Sequence, residues 1–496
     1  MQNQSAMNES TAAIIGTKPE GSDGNLPHIV ILGAGPAGAG AAFRLRRRGQ
    51  ARVTVIEARD SVGGNAGSFA LDGVYCDFGS HRLHPVVTPD ILGDLQELIG
   101  EDLLLRVRHG RILLRGRWIH FPLKPLDLLF RLPKGFALGI LADMCSKPFR
   151  RSAIGEENFA SVLEKGLGRT MSREFYFPYA RKLWGLPPEK LSATTAQRRV
   201  SGSSIGKVLR KVAGQVPGLR KPTAGRFYYP RGGFGRFSQS LYEASQKNGA
   251  NYLFGARVCG LDRFGNRVTG IRYEKDGGEH VLPADMVWST IPVSLMVRGM
   301  KPEAPSDVLD SAAALKSRGM ILIYLALAAD QFSPVDAYYF PEANVPITRL
   351  SEPKNFTGST EPRGRTVLCA ELPSDPGQPE WDLDDAELGR RVCHWMEQAG
   401  LPIHDPVEKV IVHRLRQAYP VYEQGYDSHF ARVDKWLDGL DGLLSLGRQG
   451  LFAHDNTHHT LETAYAATDC LRSDGSFDRA TWAVHRHEFE THVVED

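Results

Sequence analysis

His28-Ile29-Val30-Ile31-Leu32 is a short β-prone run that leads into Gly33-Ala34-Gly35-Pro36-Ala37-Gly38, an Ala-rich helical pattern from Ala39 to Arg48 and a stop at Gly49. This order predicts strand, glycine turn and helix. In such a turn the first glycine permits the tight reversal and the second lets main chain approach a pyrophosphate. The third lets the helix pack on the strand, with its N-terminal amides facing the phosphates. A second run, Arg52 to Glu57, ends in an acid nineteen residues past Gly38, where the ribose hydroxyls of a bound adenosine would lie. A lone Gly-x-Gly-x-x-Gly is weak; with two strands, a helix and an acid around it, it predicts a Rossmann-like dinucleotide site. Arg44, Arg46, Arg47 and Arg48 fall in the last turns of the helix, where positive charge suits the dipole, and read as a solvated helix end.

The 496 residues are enough for two or three domains. Hydrophobic residues at 42% and charged residues at 24% describe an ordinary globular chain, and a formal net charge of +3 is too near balance to drive nucleic-acid binding. Six scattered cysteines include no Cys-x-x-Cys pair and outline neither a zinc site nor a disulfide framework, which fits a reducing cytoplasm. Residues 1–27 lack the basic start and apolar stretch of a secretory signal and read as a mobile tail. No apolar run is long enough for a transmembrane helix.

Beyond Glu57, the segment Ala58-Arg59-Asp60-Ser61-Val62-Gly63-Gly64-Asn65 places a short spacer and paired glycines after the acid. This arrangement resembles the FAD-dependent amine oxidase and protoporphyrinogen oxidase superfamily, which implies FAD rather than NAD. Cys76-Asp77-Phe78-Gly79-Ser80-His81-Arg82-Leu83-His84 resembles a segment beside the flavin in UDP-galactopyranose mutases and their oxidase-like relatives. Tyr179 to Gly185, Tyr228 to Gly235 and Gly447-Arg448-Gln449-Gly450 are similar to three further stretches of the superfamily, so the likeness runs roughly from residue 28 to 470. It implies a cofactor-binding set of Gly33, Gly35, Pro36, Ala37, Gly38, Glu57, Ala58, Arg59, Gly63, Gly64, Asn65, His81, Arg82, Val258, Gly447 and Arg448. Val258 enters as the main-chain cover of adenine.

These residues have a chemical reading. A reduced flavin carries negative charge near N1 and the C2 carbonyl, so Arg448 and the helix beginning near Asn456 are placed to stabilise it. His81 serves as a wall over the ring or as a general base, and His81 and Arg448 are therefore the catalytic candidates. His84 precedes Pro85, which puts it in extended backbone with a structural hydrogen bond. His458-His459 has no cysteine or carboxylate at convincing metal spacing and reads as a solvated helix start, so no metal is expected. Trp184, Arg199, Arg349 and Tyr419 are substrate candidates. Ser201 to Arg226 carries six basic residues and no acid, which suits a solvated loop or a flap over an anionic substrate. Phe121 to Arg151 mixes apolar and basic residues, as packed helices or a helix lying on a membrane surface would.

The expected fold is α/β: a Rossmann-like FAD-binding domain from residues 28–90, 226–300 and 436–475, interleaved with an α+β substrate domain from 91–225 and 301–435, and a C-terminal extension from 476 to 496. The 91–225 part is expected to be helix-rich. Strands are predicted at Met320 to Leu327 and Arg365 to Glu371, and a helix at Asp384 to Gln398. Two function classes compete. In one, hydride passes from a substrate carbon to FAD. In the other, a reduced flavin acts without net redox on a nucleotide sugar. Only Arg199 of the mutase's paired-arginine segment is kept, and Phe452 and His454 stand where the mutase has tyrosines, which favours the oxidoreductase. A non-catalytic flavin-binding protein is a third reading. Substrate identity and oligomeric state stay open.

Overall fold

The computed structural model describes residues 26–122, 127, 131–146, 157–199 and 225–494. The expected tail up to residue 25, nearly all of the basic 201–226 stretch and much of 121–151 lie outside those residues.

β1 (His28–Leu32) is the centre of a five-stranded, all-parallel sheet in the order Leu443–Ser445, Met286–Ser289, β1, β2 (Arg52–Ile56), Asn251–Leu253. All but the first residue of each of β1 and β2 is buried, as expected of parallel strands covered on both faces. Helix α1 (Pro36–Arg48) starts three residues earlier than the Ala-rich pattern suggested, because proline at the first helical turn lacks only an N–H that would have no partner there. Gly49 ends it in the left-handed conformation. α1 packs between the Arg236–Lys247 and Thr457–Asp469 helices.

The arginine-rich end of α1 is solvated only in part: Arg47 and Arg48 are exposed, whereas Arg44 and Arg46 turn back onto the protein. Arg44 is buried, with its guanidinium 4.2 Å from the Tyr465 ring centroid and ion-paired to Asp90 and Asp469. Arg46 donates to the carbonyls of Asn248 and Ala51, and Arg47 bridges Asp94 and Glu97.

A seven-stranded sheet forms the second layer, in the order Val407–Pro420, Ser317–Leu327, Thr366–Pro373, Arg349–Ser351, Ala337–Tyr339, Gly110–Leu114, Arg117–Phe121. Ser317–Leu327 shows why a nearly continuous apolar run becomes a strand. Met320, Leu322, Tyr324 and Ala326 face the core shared with Leu163, Phe177 and Trp184. Ile321, Ile323, Leu325 and Leu327 face Leu388, Val392 and Met396 of the Asp385–Gln398 helix, so the period is two and both faces are covered. The strands and helix expected at 320–327, 365–371 and 384–398 are present within a few residues.

The described part of 91–225 is rich in helices, as expected, but it also holds strands that the sequence reading did not anticipate. Leu103–Val107, Gly110–Leu114 and Arg117–Phe121 are strands, of which the last two extend the seven-stranded sheet and the first pairs with Arg226–Pro230. The signal was the Arg115-Gly116 pair, both at positive φ (49° and 72°), the backbone of a two-residue hairpin turn. Nor is 476–496 a mere appendage: Trp482 and Phe489 of the Arg479–Phe489 helix join the core around β1. The six cysteines are free, and among the described residues no helix is long and apolar enough to cross a membrane.

Candidate functional site

The C-terminal ends of β1 and β2 face the seven-stranded sheet across a cavity of about 1210 Å³. That is more than the roughly 300–1,000 Å³ of a pocket for one small ligand, so a cofactor and a second molecule both fit.

One end is built by the glycine turn. Gly33 takes φ +95°, which an L side chain adopts only under strain, and its N–H bonds the Ile56 carbonyl at 2.8 Å. A Cβ on Gly38 would stand 1.9 Å from the Gly33 carbonyl oxygen, so the helix seats on the strand only through glycine. A Cβ on Gly35 would meet nothing within 4 Å. The space above Gly35 is therefore open, and the first amides of α1 lack a side-chain cap. Glu57 is fixed at the end of β2, its carboxylate accepting from the Ala34 N–H at 2.7 Å and the Arg59 N–H at 2.9 Å. Orphan helix amides over an open cradle, with an anchored acid beside them, fit the pyrophosphate and ribose of FAD.

Most of the expected cofactor set lines the cavity: Gly33, Gly35, Pro36, Ala37, Glu57, Arg59, Gly64, Asn65, His81, Arg82 and Arg448. The others act elsewhere. Gly38, Gly63 and Gly447 lie behind the wall, and a Cβ on Gly63 or Gly447 would come within 2.7 Å of a neighbouring carbon. Ala58 is exposed. Val258, on Arg257–Phe264, packs against the core below the sheet and is not among the residues lining the cavity.

The middle of the cavity is set by Cys76 to His84. The buried Asp77 carboxylate accepts from Ser68 Oγ (2.5 Å), Tyr229 Oη (2.6 Å) and the Phe234 N–H (2.8 Å), locking this segment to the Tyr228–Gly235 turn. Burial outweighs those donors and pushes the Asp77 carboxyl up to about 6. His81 Nε2 lies 3.0 Å from both the Asn65 and Phe78 carbonyls. Carbonyls only accept, so Nε2 carries the proton, and burial lowers the ring's pKa, which favours the neutral form. His81 is thus a pinned wall, and only its Nδ1 is left for proton transfer. Arg82 lies over the rings of Phe227 and Phe356, pairs with Asp336 at 3.4 Å and donates to Tyr339 Oη. His84 Nδ1 accepts from the Val86 N–H at 3.2 Å, the structural bond expected of it.

At the other end the four substrate candidates converge on the cavity. Arg349 forms a bidentate pair with Glu371 at 2.9 and 2.8 Å, and Glu371 also accepts from the Ser80 N–H. The Arg199 guanidinium lies 5.9 Å from the Trp184 ring and 5.7 Å from the Tyr419 ring. Arg448, on the turn Gly447–Gly450, is half-buried, donates only to the carbonyls of Asp455 and Ala418 and lies 5.1 Å from the same Tyr419 ring. Burial lowers its pKa. Among the described residues the cavity is lined by nine arginines and three carboxylates, Glu57, Glu371 and Asp455. An anionic guest suits that balance.

Sequence reasoning missed Glu371, Asp77 and Asp455, whereas Tyr339, one of the aromatic residues whose types suit either a pocket or a core, lines the cavity. The sequence reading also mistook His458 and His459, which are buried (1% and 7% exposed) rather than solvated, their helix being wedged between α1 and the Arg479–Phe489 helix. Tyr176 and Tyr179 line the cavity, whereas Tyr324 is a core residue whose hydroxyl donates to the Asp77 carbonyl at 2.6 Å.

Residues 37–467 match the family model described as flavin containing amine oxidoreductase. The chain is 28% identical over 319 residues to a phytoene dehydrogenase of Streptomyces griseus, covering 59% of this chain and 60% of that one. It is 24% identical over 478 residues to a coproporphyrinogen III oxidase of Propionibacterium freudenreichii, covering 86% and 87%. Among solved structures, reduced UDP-galactopyranose mutase superposes with a TM-score of 0.78 at 21% identity, over 95% of this chain and all of that one.

Proposed function

The chain belongs to the flavin-containing amine oxidoreductase family, and from that premise we propose that it is an FAD-dependent oxidoreductase that takes hydride from a carbon of an anionic small molecule. The observation that carries this reading is the single cavity joining the glycine turn to a chamber walled by Met320, Leu322, Tyr176, Tyr179 and Trp184, with Arg199, Arg349 and Arg448 in it. FAD, when bound, supplies the two-electron acceptor, and an external oxidant such as oxygen restores it.

The chain's own residues bind, orient and exclude water. Gly35 and the amides of α1 would hold the pyrophosphate, and Glu57 the ribose. Arg199 and Arg448 draw an anionic substrate toward Tyr419, while the apolar chamber wall keeps water from the reacting carbon. Arg448 has carbonyl partners only, so its charge is uncompensated by contact and is available to developing negative charge. Hydride removal leaves one proton to be lost from the substrate. His81 would accept it only through Nδ1, since Nε2 already carries a hydrogen; otherwise the proton leaves to water.

A second reading, redox-neutral rearrangement of a nucleotide sugar, is favoured by the resemblance in fold and by Arg199. Against it, Phe452 and His454 are both buried and neither is among the residues lining the cavity, so those positions offer no phenolic clamp. The visible spectrum of the purified protein, followed anaerobically with candidate substrates, separates the readings. Bleaching by substrate alone supports oxidation. Turnover only after prior reduction, with no oxygen consumed, supports rearrangement. A yellow protein that neither bleaches nor turns over with any candidate supports a binding role.

A further inference from the structure

Asp455 lines the cavity with both carboxylate oxygens buried and accepting no hydrogen bond. A buried anion in that state needs a cation nearby. The candidate comes from the far end of the chain: His492 Nδ1 lies 3.6 Å from Asp455 Oδ1, and its Nε2 lies 3.4 Å from Glu462 Oε2. The His492 ring stacks on that of His459, with centroids 4.1 Å apart and planes 13° from parallel. Two residues further on, Val494 is buried, its N–H bonds the Arg198 carbonyl at 2.8 Å, and it lines the cavity.

Asp455, His459 and His492 bring their ligand atoms within 4.8 Å of one another, which raises a metal ion as the missing cation. The ring geometry opposes it. Lone pairs of imidazole lie in the ring plane, so two rings stacked face to face direct theirs along parallel planes and cannot converge on one ion at about 2.0–2.1 Å. Stacking instead suits one charged imidazole lying on a neutral one. Among the described residues the charged and titratable groups facing His492 are Asp455 before the Thr457–Asp469 helix, and Glu462, His459 and His458 on it. Arg198 and His84 reach the same cluster from other elements. Burial holds His458 at about 3 and His459 at about 2, both neutral, whereas the two carboxylates raise His492 to about 9.

We propose that His492, as an imidazolium held between Asp455 and Glu462, fastens the C-terminal segment over the cavity and so positions Val494 as part of its wall. His492 is a positioning residue here, and the inference needs the cavity but not the redox assignment. A folded-state pKa raised above the ordinary imidazole range gives a contribution that is fully present below about pH 6.5 and is lost as the pH rises through about 9. That difference corresponds to a change in the closing equilibrium of up to about 300-fold.

Hydrogen–deuterium exchange of the full-length protein between pH 6 and 10, corrected for intrinsic exchange, reads the fastening at the Val494 amide. Protection is expected to decline from about pH 6.5 and to level off near pH 9. His492→Gln should remove it at every pH, His492→Arg should keep it to pH 10, and Glu462→Gln, a partly exposed change that leaves the core alone, should bring the levelling-off to a lower pH. Protection that is independent of pH in the wild type, or that survives in His492→Gln, overturns the proposal. So does a stoichiometric metal that withstands dialysis of the wild type and is absent from His492→Gln.

Discussion

Two alanine substitutions three residues apart separate the two uses of glycine in the nucleotide turn. At Gly38 a Cβ would stand 1.9 Å from the Gly33 carbonyl oxygen and 3.1 Å from its carbon, about 1.1 Å inside the 3.0 Å that real Cβ contacts respect. Main chain cannot rotate away as a flexible side chain can, so α1 must lift off β1. Gly38→Ala is expected to cost about 1–3 kcal/mol of stability, as overpacking does, and to lose FAD because the fold is damaged. At Gly35 a Cβ meets nothing within 4 Å, and the backbone, at φ −69° and ψ −177°, is one that alanine adopts freely. Gly35→Ala should therefore change the stability of the apoprotein by no more than about 0.5 kcal/mol. Its methyl group would nevertheless stand where main chain must approach the pyrophosphate. A loss of at least about tenfold in FAD affinity, or 1.4 kcal/mol, is expected. Urea unfolding of the apoprotein and titration with FAD, followed by flavin fluorescence, measure the two quantities separately. A Gly35→Ala protein that binds FAD as tightly as the wild type would refute the placement of the pyrophosphate on this turn.

Other outcomes follow from buried charge. The Asp77 carboxyl is raised to about 6, so the fold favours its protonated form; that contribution is present below about pH 4 and lost as the pH rises through about 6. Asp77→Asn should remove the corresponding slope, worth at most about 3 kcal/mol, from a plot of Tm between pH 4 and 7; parallel curves would contradict the assignment. Lys182 Nζ donates to the carbonyls of Phe340, Glu342, Val345 and Ile347, so Lys182→Met leaves buried acceptors unpaired. A loss of about 3 kcal/mol in chemical denaturation is expected, with faster amide exchange over 340–347. Arg448→Gln removes a cation that no carboxylate contacts and should make bound flavin harder to reduce; an unchanged midpoint potential would take Arg448 out of the proposed chemistry.

What could be read from the sequence was what local spacing controls. The turn from Gly33 to Gly38, the acid at Glu57 and the apolar period of Met320 to Leu327 each announce themselves within a dozen residues. The Arg349–Glu371 pair does not, because it exists only through the cross-strand register that places those two residues opposite each other. A carboxylate at the end of an apolar strand carries no mark of its partner. His458 and His459 were misread for a related reason: a polar helix start looks solvated until the C-terminal helix is known to fold over it. The strands between Leu103 and Phe121 were hidden by arginines at their turns and edges, although Arg115-Gly116 was a usable sign of a hairpin.

The order of strands in the parallel sheet governs when the molecule can be finished. β1 has β2 close by in sequence on one side, but on the other it pairs with Met286–Ser289, whose outer neighbour is Leu443–Ser445. Nearly the whole polypeptide must leave the ribosome before that edge can close, and the Gly447–Gly450 turn and Thr457–Asp469 helix emerge later still. Pairings this distant are slow to form and leave apolar strand surface exposed meanwhile. A cavity whose wall includes Arg448 and Asp455 is therefore complete only after the first strand has waited more than four hundred residues for its distant neighbours.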